Sequence, residues 1–127
     1  MPPPTIAILG ASPDRAKFGN KAVRAYVQRG YDVYPVNPKG GEIEGLTTYR
    51  ALADVPATHL NRVSVYLPPP VLLKVLDEIA AKGCDELWLN PGCDTPQVIE
   101  KAQRLGLNAI AACSIVALGV SPSEFGE

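Results

Sequence analysis

The sequence predicts an α/β fold, a doubly wound parallel sheet with helices on both faces. Three observations predict it. Apolar runs alternate along the chain with segments of helical period. The first run, Ile6-Ala7-Ile8-Leu9, stops at Gly10-Ala11-Ser12, and a helical pattern begins near Gly19. The runs are almost continuously apolar, as strands covered on both faces must be.

Each element has its own signal. Thr5 to Leu9 reads as the first strand. Gly19 to Arg29 reads as a helix with Ala22, Val23, Tyr26 and Val27 on one face, and Gly30 ends it. Asp32 to Val36 is the second strand, closed by Asn37-Pro38. Lys39-Gly40-Gly41 begins a loop through Gly45, and Thr48 to Ala53 reads as a short helical turn before Pro56. Arg62 to Leu67 is the third strand. Pro68, Pro69 and Pro70 suit a first helical turn, where a missing N–H has no partner to lose. Leu72, Val75, Leu76, Ile79 and Ala80 then recur at helical spacing up to Gly83. Glu86 to Leu89 is the fourth strand. Thr95-Pro96 reads as an N-cap followed by proline at N1, and Gly106 stops that helix. Leu107 to Ala112 is the fifth strand, followed by a tail that is apolar to Gly119 and then polar.

Strands separated by helices pair in parallel through right-handed crossovers. The expected architecture is a Rossmann-like, three-layer αβα domain over residues 1–127, with about five strands in the order 3-2-1-4-5. A ligand would lie across the carboxyl ends of the strands.

Composition narrows the partners. The chain has 127 residues, a formal net charge of −1, 46% hydrophobic and 20% charged residues. No basic excess points to nucleic acid. No segment is long and apolar enough to span a membrane, and no signal peptide is expected. Cys84, Cys93 and Cys113 form no C-x-x-C pair, so neither a disulfide framework nor a metal site is expected, and a cytoplasmic setting is the default.

The candidate site segments all fall where predicted strands end: Gly10-Ala11-Ser12, Val36-Asn37-Pro38-Lys39, Tyr66-Leu67-Pro68-Pro69 and Asn90-Pro91-Gly92. Gly, Pro and Asn also make turns wherever strands end. Convergence on one sheet edge is what points to a ligand. The first glycine turn feeds a helix N-terminus, whose unpaired N–H groups and partial positive charge suit an anion. Ser12 stands where G-x-G-x-x-G requires its second glycine. An NAD site also places a carboxylate after the second strand, whereas this chain places Asn37-Pro38-Lys39 there. Both departures argue for a ligand related to NAD rather than NAD itself. Lysine suits the ribose phosphate of coenzyme A or NADP.

The chain resembles the small stand-alone CoA-binding proteins, and more distantly the CoA-binding domain of the succinyl-CoA synthetase α subunit. The resemblance is carried by Ile8-Leu9-Gly10-Ala11-Ser12, Lys17-Phe18-Gly19, Tyr34-Pro35-Val36-Asn37-Pro38-Lys39, Tyr66-Leu67-Pro68-Pro69-Pro70 and Leu87-Trp88-Leu89-Asn90-Pro91-Gly92. It implies that Ser12, Lys17 and Phe18 border the diphosphate or nucleotide. It implies that Lys39 approaches the adenosine or its phosphate, and that Leu67 and Pro68 border adenine. Asn90 and Pro91 would face the pantetheine or nucleotide side. Cys93 and Cys113 are expected near the same edge, where a thiolate could meet the CoA sulfur, although a small buried hydrophobe is the plainer role of each. The synthetase phosphorylates a histidine. This chain has only His59, outside any matching motif, and it reads as a surface residue.

The expected function is therefore binding of coenzyme A or an acyl-CoA with no chemistry of its own and no catalytic residue. The alternatives are an NADP-linked oxidoreductase fragment, or the CoA-binding component of an acyl-CoA ligase completed by a partner chain.

Overall fold

The computed structural model describes residues 2–126. Its sheet is built from β1 (Thr5–Leu9), β2 (Asp32–Val36), β5 (Arg62–Val65), β6 (Glu86–Leu89) and β7 (Ala109–Ala111). All four pairings are parallel, in the order β2-β1-β5-β6-β7. Alternation along β1 divides the core. Ala7 and Leu9 join Val63, Val65, Leu87 and Leu89 beneath α2 (Pro69–Lys82) and α3 (Pro96–Arg104). Ile6 and Ile8 join Val33, Tyr26 and Ile115 beneath α1 (Phe18–Gln28) and the C-terminal segment. Among the described residues, no helix is long and apolar enough to cross a membrane.

The helix signals are realised. Thr95 accepts a hydrogen bond from the Val98 amide at 3.4 Å, Pro69 opens α2, and Gly30 follows α1 at φ 84°.

The strand order corrects the expected one. Numbered by the predicted strands it is 2-1-3-4-5, not 3-2-1-4-5. The reason lies in Pro35. Its carbonyl faces away from β1 and accepts from the Tyr49 amide at 2.9 Å, so its missing N–H falls on that same outer side. A full strand cannot ladder there, and β2 is left as the sheet edge. β5 instead pairs with the free side of β1.

The loop expected from Lys39 to Gly45 contains a small antiparallel hairpin, β3 (Glu42–Ile43) and β4 (Leu46–Thr47). Its two turn residues, Glu44 and Gly45, have φ of 51° and 77°, the backbone of a type I′ turn. The third predicted strand stops at Val65, which leaves Tyr66 and Leu67 as its exit, and the fifth is confined to Ala109–Ala111.

Candidate functional site

With β1 and β5 adjacent, the chain leaves one strand for α1 on one face and the other for α2 on the opposite face. That divergence opens a crevice at the carboxyl ends of the strands, the general ligand position in such sheets. It holds about 660 Å³.

One wall is the loop between β1 and α1: Gly10, Ala11, Ser12, Ala16 and Lys17, continued by Phe18 and Gly19 of the helix. Gly10 has φ 82°, and a Cβ there would fall on the Tyr66 carbonyl. A Cβ at Gly19 would fall on the Gly10 carbonyl. The two glycines let the N-terminus of α1 sit directly against the end of β1. Lys17 is the N-cap residue and the first turn holds no acidic residue. Lys21 lies 5.5 Å from the centre of the Phe18 ring. The helix therefore presents unpaired amides and positive charge without a competing carboxylate in that turn. Ser12 Oγ accepts the Asp14 amide at 3.1 Å, which leaves its own proton free to donate.

The opposite wall comes from Tyr66, Leu67, Pro91, Gly92 and Cys93, with Asn37 at the end of β2. The Cys93 amide donates to the Asn90 carbonyl at 2.9 Å, with Pro91 and Gly92 (φ 95°) between them, a type II turn. That turn carries Cys93 back to the wall. Its thiol donates to the Val65 and Leu67 carbonyls at 3.4 and 3.3 Å. Burial pushes the Cys93 thiol up, so it stays protonated at neutral pH. Burial also pushes the Tyr66 hydroxyl up to about 12.

A second cavity of about 220 Å³ adjoins the crevice and shares Gly10 and Leu67 with it. Leu9, Val36, Pro38, Leu52, Val71 and Val75 make it apolar, and Arg50 and Glu78 stand on its border.

The structure brings most of the candidate residues together. Gly10, Ala11, Ser12, Lys17, Phe18, Gly19, Asn37, Tyr66, Leu67, Pro91 and Gly92 line the crevice. Val36 and Pro38 line the adjoining cavity. Three are placed elsewhere. Lys39 is exposed beyond Pro38 and lines neither hollow. Pro68 caps α2 and lines neither. Asn90 lies under the crevice floor, 1% exposed. Its Nδ2 donates to Ser64 Oγ and the Val65 carbonyl, and its Oδ1 accepts the Ser114 amide. These bonds use its amide inside the protein. Cys113 is half-buried against the α1 side of the sheet and does not line the crevice. His59 is exposed and pairs with Asp85 at 2.9 Å near the amino end of β1.

The sequence reading missed Arg50, Val71 and Val75. The last two lie on α2 at a spacing of four, a signal of a shared helix face. Arg50 had none, because only the return of the chain past β2 brings it to Gly40.

The profile of the CoA binding domain matches residues 4–119. Among curated proteins, the chain is 31% identical over 87 residues to the α subunit of an ADP-forming acetate–CoA ligase of Pyrococcus furiosus, covering 64% of this chain and 19% of that protein. It is 33% identical over 81 residues to an ADP-forming acetate–CoA ligase of Methanocaldococcus jannaschii, covering 64% of this chain and 11% of the ligase. The chain thus spans less than a fifth of either relative. Among solved structures, a conserved hypothetical protein of Pyrococcus furiosus superposes with a TM-score of 0.82 at 32% identity, covering 90% of this chain and 98% of that one. The dinucleotide-forming acetyl-coenzyme A synthetase 1 of Ca. Korarchaeum cryptofilum, solved with phosphate and ADP, superposes with a TM-score of 0.73 at 26% identity. That match covers 87% of this chain and 26% of the synthetase.

Proposed function

The chain belongs to the CoA-binding domain family, and from that premise we propose that its crevice takes coenzyme A or an acyl-CoA and performs no chemistry on it. The observation that carries this reading is the continuity of two unlike hollows through Gly10 and Leu67. One offers a helix N-terminus, a hydroxyl and a lysine to an anion. The other offers an apolar slot bordered by Arg50 to a nucleoside bearing a phosphate. The diphosphate would lie against Ser12, Lys17 and the α1 amides, with adenine between Pro38 and Leu67. The pantetheine arm would leave over Pro91 and Gly92. The 660 Å³ crevice falls within the usual size of small-molecule sites.

A site of this kind orients its ligand. Backbone amides, prolines and a protonated thiol supply no general base near neutral pH. Ligation, the reaction of the longer relatives, would need a partner chain.

Calorimetry with CoA, acetyl-CoA, NAD and NADP tests the ligand, with CoA or its thioester expected to bind most tightly. Preference for either dinucleotide would sink the reading. Incubating the pure chain with ATP, CoA and a panel of carboxylic acids tests the chemistry. No thioester is expected by mass spectrometry, and turnover abolished by Ser12→Ala would make the chain an enzyme.

A further inference from the structure

The loop between β1 and α1 must show donors to an anion, yet every peptide in it also carries a carbonyl oxygen that would repel one. Pro13 removes one N–H from the loop altogether. We infer that Asn20 and Arg24 are positioning residues that hold the loop carbonyls on the α1 side, so that their oxygens do not face the crevice.

Neither residue lines the crevice. Asn20 is fully buried in the first turn of α1. Its Nδ2 donates to the Ser12 carbonyl at 2.9 Å and to Glu44 Oε2 at 3.1 Å. Its Oδ1 accepts from Arg24 Nε at 2.8 Å. Arg24 Nη2 donates to the Arg15 carbonyl at 2.8 Å. Asn37, from the end of β2, holds the Ala11 carbonyl in the same manner at 2.8 Å. Because a trans peptide is planar, turning the Ala11 carbonyl away points the Ser12 N–H in the opposite direction. The Ser12–Pro13 peptide has no N–H, and the Ala16 N–H donates to Asp14 Oδ1 at 3.0 Å, so at Ser12 and Arg15 the brace acts by keeping carbonyl oxygens off the anion.

The brace is anchored on two further segments. Arg24 Nη1 donates to the Gly126 carbonyl at 2.7 Å, and its guanidinium lies 5.9 Å from the Phe125 ring centre. Glu44 reaches Asn20 from a hairpin turn at φ 51°, where glycine or asparagine is the ordinary choice. Its carboxylate also lies 3.6 Å from Arg15 Nε. A glutamate held in left-handed backbone is consistent with a contact that offsets the strain. Asn20 is therefore satisfied at all its polar positions by groups whose common effect is to fix the loop.

The inference rests on the CoA reading for its ligand but not for its geometry. The test compares Asn20→Ala and Arg24→Gln with the parent in three measurements. The first is CoA affinity by calorimetry, expected to fall about tenfold, the cost of about one hydrogen bond. The second is affinity for adenosine, which has no diphosphate, followed by NMR titration and expected to stay at the parent value. The third is amide exchange over residues 11–17 in the ligand-free protein, expected to speed up while the central strands keep their protection. Parental CoA affinity or parental loop exchange in both variants overturns the inference. So does a parallel loss of CoA and adenosine binding that tracks the melting temperature, since that marks a structural role only. Should Asn20→Ala fail to fold, Arg24→Gln decides by the same readouts. A parent that binds no CoA removes the proposed function, and loop exchange then decides the positioning role alone.

Discussion

The two ends of the sheet carry hollows of nearly equal size and opposite character. The crevice at the carboxyl ends holds about 660 Å³, and a groove at the amino ends holds about 710 Å³. The second is lined by Pro2, Pro3, Pro4, Tyr34, Pro56 and Ala57, with Thr5, Thr58, His59 and Asn61. It has no lysine or arginine, no glycine and no helix N-terminus among its lining residues. Its histidine is committed to Asp85. Volume therefore does not distinguish them. Backbone direction does: every helix that follows a parallel strand begins at the carboxyl edge, so the unpaired amides of α1 gather there.

The comparison breaks most readily at Gly10. A valine there meets both a left-handed backbone and the Tyr66 carbonyl. Gly10→Val should lose about 3 kcal/mol or more of stability and abolish CoA binding, by urea melts and calorimetry. A variant that melts and binds like the parent would move the site away from this loop.

Lys17 and Lys39 sharpen the contrast within the carboxyl edge. Lys17 lines the crevice at the N-cap of α1, whereas Lys39 lines neither hollow. Lys17→Ala should weaken CoA binding about tenfold with little change in melting temperature. Lys39→Ala should weaken it less than about threefold. The reverse ranking in calorimetry would make Lys39 the phosphate ligand.

Alkaline pH separates the ends through stability. Cys84 lies just before β6, at the amino edge. Burial, followed by the charges of Asp85 and Glu86, pushes its thiol up to about 11 from an ordinary 9.0. At the carboxyl edge, burial pushes Tyr66 up to about 12 from 10.0. Both groups hold their proton more tightly when folded. Their contribution is complete below the unfolded values and is lost as pH rises through the folded ones. Stability should thus fall from about pH 9 upward, first through the buried thiols Cys84 and Cys93. Cys84→Ala should flatten the early part of a urea-midpoint profile against pH. An unchanged slope between pH 9 and 11 would remove Cys84 as the cause.

The smallest effect belongs to His59. Its pair with Asp85 is exposed on both sides, a class worth less than about 1 kcal/mol. His59→Ala should leave CoA affinity unchanged and barely move the melt. A clear loss of affinity would tie the amino-end groove to ligand binding.

Short-range chemistry made most elements legible along the chain. A glycine after an apolar run, proline at N1 and threonine at an N-cap act within a few residues, so Gly10, Pro69 and Thr95 could be read where they stand. Pro35 carried a signal that the expected strand order did not use: a proline within a strand marks a sheet edge, whereas the order 3-2-1-4-5 placed that strand inside. The clustering of Gly10, Asn37, Leu67 and Pro91 could be anticipated, because parallel strands must end on one side. What the tertiary structure alone decided was adjacency and orientation. β5 lies beside β1 through contacts more than 50 residues apart in sequence, a relation that local period does not encode. Asn90 reads as a loop residue beside a ligand, yet Ser64 and Ser114, distant in the chain, turn its amide inward. Asn20 and Arg24 read as ordinary helix residues, because the carbonyls that they hold come near only when α1 docks on the sheet. A side chain's type is local, but its partners are set by the packing of segments remote in sequence.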